Sequence, residues 1–343
     1  MAEESSPTSD ESVFMTTTDE TTVTGGNTMT SPSSRGIEFY FHVAIVVIGV
    51  IGTAANGLIL YALVASKQHH KHVLIVNQNA LDLFSCIFLV ITYATRLGNV
   101  PLTGWSGYCL CMLILTDNVV WWGVSGSIIN LAMITIERYL NVVHATWSKA
   151  KLRNWMIYSA MAFSWIAGIV YISVLVFLTS AVVNGTCYTM IFENEAGKWF
   201  YFFWHLIMFY VVIIILFAFC YGRILLAVRR QAKIMLGHAS VAGAGSNASQ
   251  NQLNQIQTNV IMTMILVCGY YAIMWLPSQI STLTILLSPN PNPHLDSGYY
   301  ITLFLAFLYT CTNPFIYATK FDPVKEILLR VVACKKTNDV SMA

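Results

Sequence analysis

The chain has 343 residues, of which 56% are hydrophobic and only 10% charged, with a net charge of +2. Soluble domains carry about 25% charged residues, so a soluble globular fold is excluded. The long apolar runs also lack the two-residue alternation of a membrane β-barrel, and nothing in the charge points to nucleic acid.

Residues 1–36 are rich in Ser, Thr and acids. Such a segment buries too little apolar surface to fold and reads as a disordered tail. A basic start followed by an apolar core is missing, so no cleavable signal is expected and the first span serves as its own insertion signal.

A helix needs about 20 mostly apolar residues to cross a bilayer. Seven runs meet that length, at about 38–65, 73–97, 108–141, 153–179, 199–228, 257–287 and 298–319. Short connections make them one bundle over 37–320, with no internal repeat. The fold class predicted is an all-α membrane protein. Residues 230–255 hold Gly237, Gly243 and Gly245 among Ser, Asn and Gln, which predicts a flexible linker. After the seventh run, Asp322-Pro323 starts a further helix over 321–334. Val324, Ile327, Leu328 and Val331 share one of its faces, which places it along the membrane surface with Lys325 and Arg330 at lipid headgroups. Residues 335–343 form a short tail.

Lys and Arg concentrate on the cytoplasmic side. Three of the 18 lie on one side (Arg35, Arg96 and Lys198) and fifteen on the other. The N-terminus is therefore expected outside a plasma membrane and the C-terminus inside. Asn184-Gly185-Thr186 then falls outside as a glycosylation acceptor, and Asn247-Ala248-Ser249 falls inside and stays bare. Cys86, Cys220, Cys268 and Cys311 lie in spans as small apolar thiols. Cys109, Cys111 and Cys187 lie on the oxidising side, where disulfides persist. The outer side carries ten acids against three bases, a field that gathers cationic ligands or simply solvates a tail.

Polar residues inside spans are costly and functional by default. In chain order they are Gly52-Thr53-Ala54-Ala55-Asn56, Asn77-Gln78-Asn79-Ala80-Leu81-Asp82, Glu137-Arg138-Tyr139, Trp165, Tyr221, Trp275-Leu276-Pro277 and Asn313-Pro314-Phe315-Ile316-Tyr317. With one motif on each span, the chain resembles the rhodopsin-like family of G-protein-coupled receptors over residues 38–334.

The resemblance implies a seven-helix receptor that passes an extracellular signal to a heterotrimeric G protein. No enzyme is expected, since the span residues assemble neither a nucleophile with a base nor a metal cluster. It also implies roles. Glu137 holds Arg138 at rest, and Arg138 is freed to meet the G protein near Tyr221 and Tyr317. Pro277 and Pro314 remove backbone donors and let their helices pivot, the sixth moving outward. Trp275 senses the ligand, or is a large core residue. Asp82, Ser127 and Asn313, with Asn56, hold sodium or a watery hydrogen-bond network. Gly123, Tyr309 and Thr310 depart from the family there. Cys187 pairs with the third span. Cys111 lies 27 residues before Arg138 and Cys109 lies 29 before, against about 25 in the family, so Cys111 fits better and the pairing stays open. Cys334 is a palmitoylation site or an unmodified thiol.

The ligand pocket implied comprises Tyr93, Asp117, Val120, Trp121, Trp275, Gln279, Thr282, Tyr299 and Tyr300. Phe307 stands where light receptors keep a Schiff-base Lys, and Val120 where amine receptors keep an Asp. Asp117, one turn outward, meets a ligand cation or pairs with Arg96. A cationic neuropeptide is expected, with an amine or small amphipathic molecule as the alternative. Ile213 replaces the usual Pro of span five, which predicts a straighter helix without its usual bulge. Gln257 replaces an acid, which predicts some basal signalling. Arrestin recruitment falls to Ser240, Ser246 and Ser249. A transporter or channel is the rival class, and the lack of duplicated halves argues against it.

Overall fold

The computed structural model describes residues 32–67, 69–70, 72–98, 100–183, 185–189, 192, 194–239, 248–287 and 297–320. It describes only the backbone at 32–35, 231–239, 248–261, 263–264, 285–286, 297 and 317–320. Apolar runs of this length become helices because a lipid environment leaves backbone amides no partner but one another. The helices are α1 (Pro32–Ala65), α2 (Val73–Leu97), α3 (Gly104–Leu110), α4 (Asn118–Val143), α5 (Ala145–Lys151), α6 (Asn154–Thr179), α7 (Glu195–Leu206), α8 (Val212–Ala239), α9 (Ala248–Leu287) and α10 (Ser297–Lys320). Among the described residues six segments are long and apolar enough to cross a membrane. The 40-residue α9 is the remaining long helix.

The helices close a ring in the order α1, α2, α4, α8, α9, α10 and back to α1, with α6 outside against α4. The interior holds a polar set within its apolar core: Asn56, Gln78, Asn79, Asp82, Asn130 and Asn313 are all 0% exposed. The exterior is apolar, with Ile166, Val170 and Ile215 turned outward. Small residues set the closest crossings, as membrane helices require. A Cβ on Gly168 would lie 2.8 Å from the Gly126 nitrogen, and one on Gly52 would lie 2.6 Å from Cys86 Sγ.

Four expectations change. The third span is not one helix. A π turn (Cys111–Leu115) follows α3, and Asp117 adopts φ 57° before α4 begins. Asp117 therefore does not continue the face that carries Val120. The fifth span is not straight either, since a π turn (Ile207–Val211) joins α7 to α8 without a proline. The Tyr271 hydroxyl donates to the Phe209 carbonyl inside that turn, supplying a partner where the regular ladder is interrupted. The linker expected over 230–255 is helical at both ends, through Ala239 and from Ala248. Last, β1 (Ala181–Val183) and β2 (Thr186–Tyr188) form an antiparallel hairpin that the sequence reading lacked. Gly185, at φ 76°, takes the left-handed turn position that glycine adopts freely.

Cys187 on β2 bonds to Cys111 at the head of the first π turn, with S–S 1.98 Å and Cα–Cα 5.6 Å. Cys109 is free. The two-residue offset from the family spacing coincides with the π turn and the Asp117 break, which take up extra chain between Cys111 and Arg138. The tail before residue 32, Asn184, Ser240, Ser246, Asn247, the helix expected at 321–334 and Cys334 lie outside the described residues, as do the side chains of Ser249, Gln257 and Tyr317.

Candidate functional site

The C-terminal end of α4 carries the acidic–Arg–Tyr triplet. Arg138 Nη2 stands 3.7 Å from Glu137 Oε2, with both side chains about one-sixth exposed. That separation is a charge contact rather than a hydrogen bond. Arg138 Nε is buried without a hydrogen-bond partner among the described residues. Glu137 Oε1 accepts from Asn141 Nδ2 at 3.3 Å, so the acid is divided between two neighbours. Tyr139 turns away, with its hydroxyl 3.2 Å from His144 Nε2. Tyr221 on α8 is brought to this end, its hydroxyl 3.3 Å from Thr135 Oγ1, about one turn above Arg138.

The outer half is aromatic. Trp275 on α9 is 1% exposed and sits two residues before Pro277. Its ring centroid lies 5.8 Å from Trp121, 5.4 Å from Phe209 and 6.0 Å from Tyr271. Phe307 on α10 continues the wall, 5.4 Å from Trp121 and 6.0 Å from Tyr93. Phe41 on α1 closes it at 4.9 Å from Tyr300. Tyr300 is itself 5.9 Å from Tyr299. Among the described residues Trp275 Nε1 is buried without a hydrogen-bond partner, so the wall keeps an unspent donor. Val120 is fully buried and Gln279 is buried one turn beyond Trp275. Thr282 spends its hydroxyl on the Ser278 carbonyl of its own helix, at 2.9 Å. Sequence reasoning missed Phe41, Phe209 and Tyr271 and used Phe307 only to exclude retinal. Aromatic residues in apolar runs carry no distinguishing signal.

Asp117 is held from the side. Arg96 Nη2 donates to Asp117 Oδ2 at 2.7 Å and to the Leu115 carbonyl at 2.7 Å. The guanidinium also lies 4.6 Å over the Tyr93 ring, a cation–π contact. Of the two roles open for Asp117, pairing with Arg96 is the one seen. Among the described residues Asp117 Oδ1 is without a hydrogen-bond partner.

Between the two ends lies Asp82. Its Oδ1 accepts from Ser127 Oγ at 2.6 Å, and its Oδ2 accepts from Asn313 Nδ2 at 3.0 Å. Gln78 Nε2 approaches Oδ2 at 3.5 Å and donates to Ser127 Oγ. Asn56 does not join this set. Its Nδ2 serves the Gly52 carbonyl at 3.0 Å and Cys86 Sγ at 3.9 Å, because it sits on the α1 face turned toward Cys86.

A family model described as 7 transmembrane receptor (rhodopsin family) matches residues 55–317. The chain belongs to the rhodopsin family of seven-transmembrane receptors. It is a receptor, then, and not an enzyme, and it crosses the membrane several times. The C-C chemokine receptor type 8 of Mus musculus is 25% identical over 305 residues, covering 87% of this chain and 80% of that receptor. Somatostatin receptor type 2 of Mus musculus is 21% identical over 302 residues, covering 85% and 76%. Galanin receptor type 1 of Rattus norvegicus is 24% identical over 316 residues, covering 89% and 85%.

The receptor's Asp82 set can be tested against the sodium that the resemblance implied. A hard cation needs oxygen lone pairs directed at it. Both Asp82 oxygens instead accept hydrogens, from Ser127, Asn313 and Gln78. Ser127 Oγ donates to Asp82 and accepts from Gln78, so an N–H rather than open space faces it on the Gln78 side. Asn313 turns its nitrogen to Asp82 and hence its unpartnered oxygen away. At Gly123 any side chain would collide with Ser85 Oγ, so that position gives no ligand. This donor set does not fit a cation. Buried oxygens without partners among the described residues, Thr310 Oγ1 and Asn313 Oδ1, suit bridging water.

Proposed function

We propose that this receptor binds a cationic polypeptide from outside the cell and then catalyses nucleotide exchange on a heterotrimeric G protein. The observation that carries the reading is Arg138, a cation at the inner end of the bundle whose contact with Glu137 spans 3.7 Å. A charge so weakly held is easily handed to another acceptor, such as a docking helix terminus. The named ligands of the relatives, chemokines, somatostatin and galanin, are polypeptides, and the acidic outer side favours a cationic one. On this reading the inner half of α9 swings outward about Pro277, and Trp275 couples that movement to the aromatic wall. The N-terminus lies outside, with a glycan on Asn184, and the C-terminus inside, with an acyl chain on Cys334 meeting membrane lipid. Arrestin binds after activation through the inner serines.

The test is nucleotide exchange in membranes holding the receptor and a G protein, screened with basic and acidic peptides. A basic peptide should accelerate exchange, and Arg138→Ala should remove at least about tenfold of that acceleration, equivalent to ~1.4 kcal/mol of coupling. Peptide binding at the outer side should survive the substitution. A receptor whose exchange is untouched by Arg138→Ala does not work this way.

A further inference from the structure

Trp165 lies on α6, outside the ring, yet its indole begins a chain of bonds that ends at Asp82. An indole nitrogen only donates. Asn77 Oδ1, 2.8 Å away, is therefore the acceptor. That fixes the Asn77 amide, whose Nδ2 donates to Asn130 Oδ1 at 2.8 Å and to Ser164 Oγ at 3.0 Å. Asn130 is fixed in turn, its Nδ2 donating to Gln78 Oε1 at 2.9 Å and to the Leu74 carbonyl at 2.9 Å. Gln78 has its oxygen taken and presents only N–H onward, to Ser127 Oγ and toward Asp82. Asn77, Gln78, Asp82, Ser127 and Asn130 are each 3% exposed or less. Turning the Gln78 amide over would set its nitrogen against Asn130 Nδ2 and its oxygen against the carboxylate. Reversing the whole relay would require Trp165 to accept, which it does not do. Unmatched polar atoms at such depth are expensive.

We propose that the Gln78 amide, oriented by the relay from Trp165, takes the place of a monovalent cation at Asp82, so that this receptor does not respond to sodium. One residue thereby converts an ion site into a fixed hydrogen-bond junction of α2, α4 and α10. This junction is the same whatever the extracellular ligand is.

The test uses the purified full chain in detergent, with its melting temperature followed as NaCl replaces choline chloride at constant ionic strength. A ligand that binds only the folded state raises the melting temperature in a saturable way. Wild type should show no such rise. Gln78→Leu, which frees lone pairs on Asp82 and Ser127, should gain one, and adding Asp82→Asn should abolish it. A saturable sodium-dependent rise in wild type that Asp82→Asn removes overturns the proposal. So does a folded Gln78→Leu that stays indifferent to sodium. Should Gln78→Leu fail to fold, the wild-type titration, which needs no substitution, still decides. No step depends on signalling, so failure here and failure of the receptor reading are separable.

Discussion

The two ends of the third span are built in opposite ways. At the outer end the chain is irregular but clamped: a π turn, a left-handed Asp117, the Cys111–Cys187 bond and an Arg96–Asp117 pair at 2.7 Å all meet within a few residues. At the inner end the helix runs unbroken to Val143, yet its key cation is only 3.7 Å from Glu137. Irregular backbone persists only where its surroundings over-determine it. Regular helix with a weak charge contact is cheap to rearrange. The contrast assigns rigidity to the end of the third span that carries Asp117 and freedom to the end that carries Arg138.

Breaking the outer clamp tests that assignment most severely. The disulfide closes a span of 76 residues, for which chain entropy alone gives about 4.5 kcal/mol. Cys111→Ser should therefore collapse the yield of folded receptor, and Cys109→Ser, which removes a free thiol, should not. Equal losses in the two variants, measured by size-exclusion profile and melting temperature, would refute the clamp.

Removing one partner of a desolvated ion pair is next in size. Arg96→Gln should cost about 3 kcal/mol, because Asp117 is left buried without its cation and the Leu115 carbonyl loses a donor. Joining it to Asp117→Asn should recover part of that loss, as coupled neighbours do. Additive losses would mean that the two residues act independently and that the outer end is less cooperative than the geometry indicates.

How much of this was readable beforehand follows the same physics. Spans were legible because a bilayer demands long apolar runs, and the motif residues were legible because polar groups there stand out. The π turns were not, since an i→i+5 turn leaves no residue signature, and a missing proline at Ile213 pointed the wrong way. Asp117 gave a faint cue: Asp is among the few residues that enter the left-handed region with ease. Helix beyond the membrane, through Ala239 and from Ala248, was hidden by polar composition. Gln78 was quoted within a motif and assigned nothing. Three successive polar amides, Asn77-Gln78-Asn79, with Asn130 and Trp165 elsewhere, could have suggested a relay, but their faces become known only when α2, α4 and α6 are packed together.

The smallest predicted effect is at the second π turn. Tyr271 on α9 reaches across to the Phe209 carbonyl, and Tyr210 reaches back to the Ala272 carbonyl at 3.0 Å. The irregular part of the fifth span is thus tied to the sixth just above the Trp275 level, with hydrogen bonds doing what a proline does elsewhere. Tyr271→Phe keeps the ring that packs on Trp275 and Tyr309 and removes only the hydroxyl. One hydrogen bond contributes about 1 kcal/mol. The melting temperature should fall by no more than that implies, while hydrogen exchange at residues 207–213 should accelerate. Acceleration confined to α9 instead would place the tie's work on the sixth span. In that case the fifth span holds its π turn without the Tyr271 bond, by packing and the Tyr210 bond.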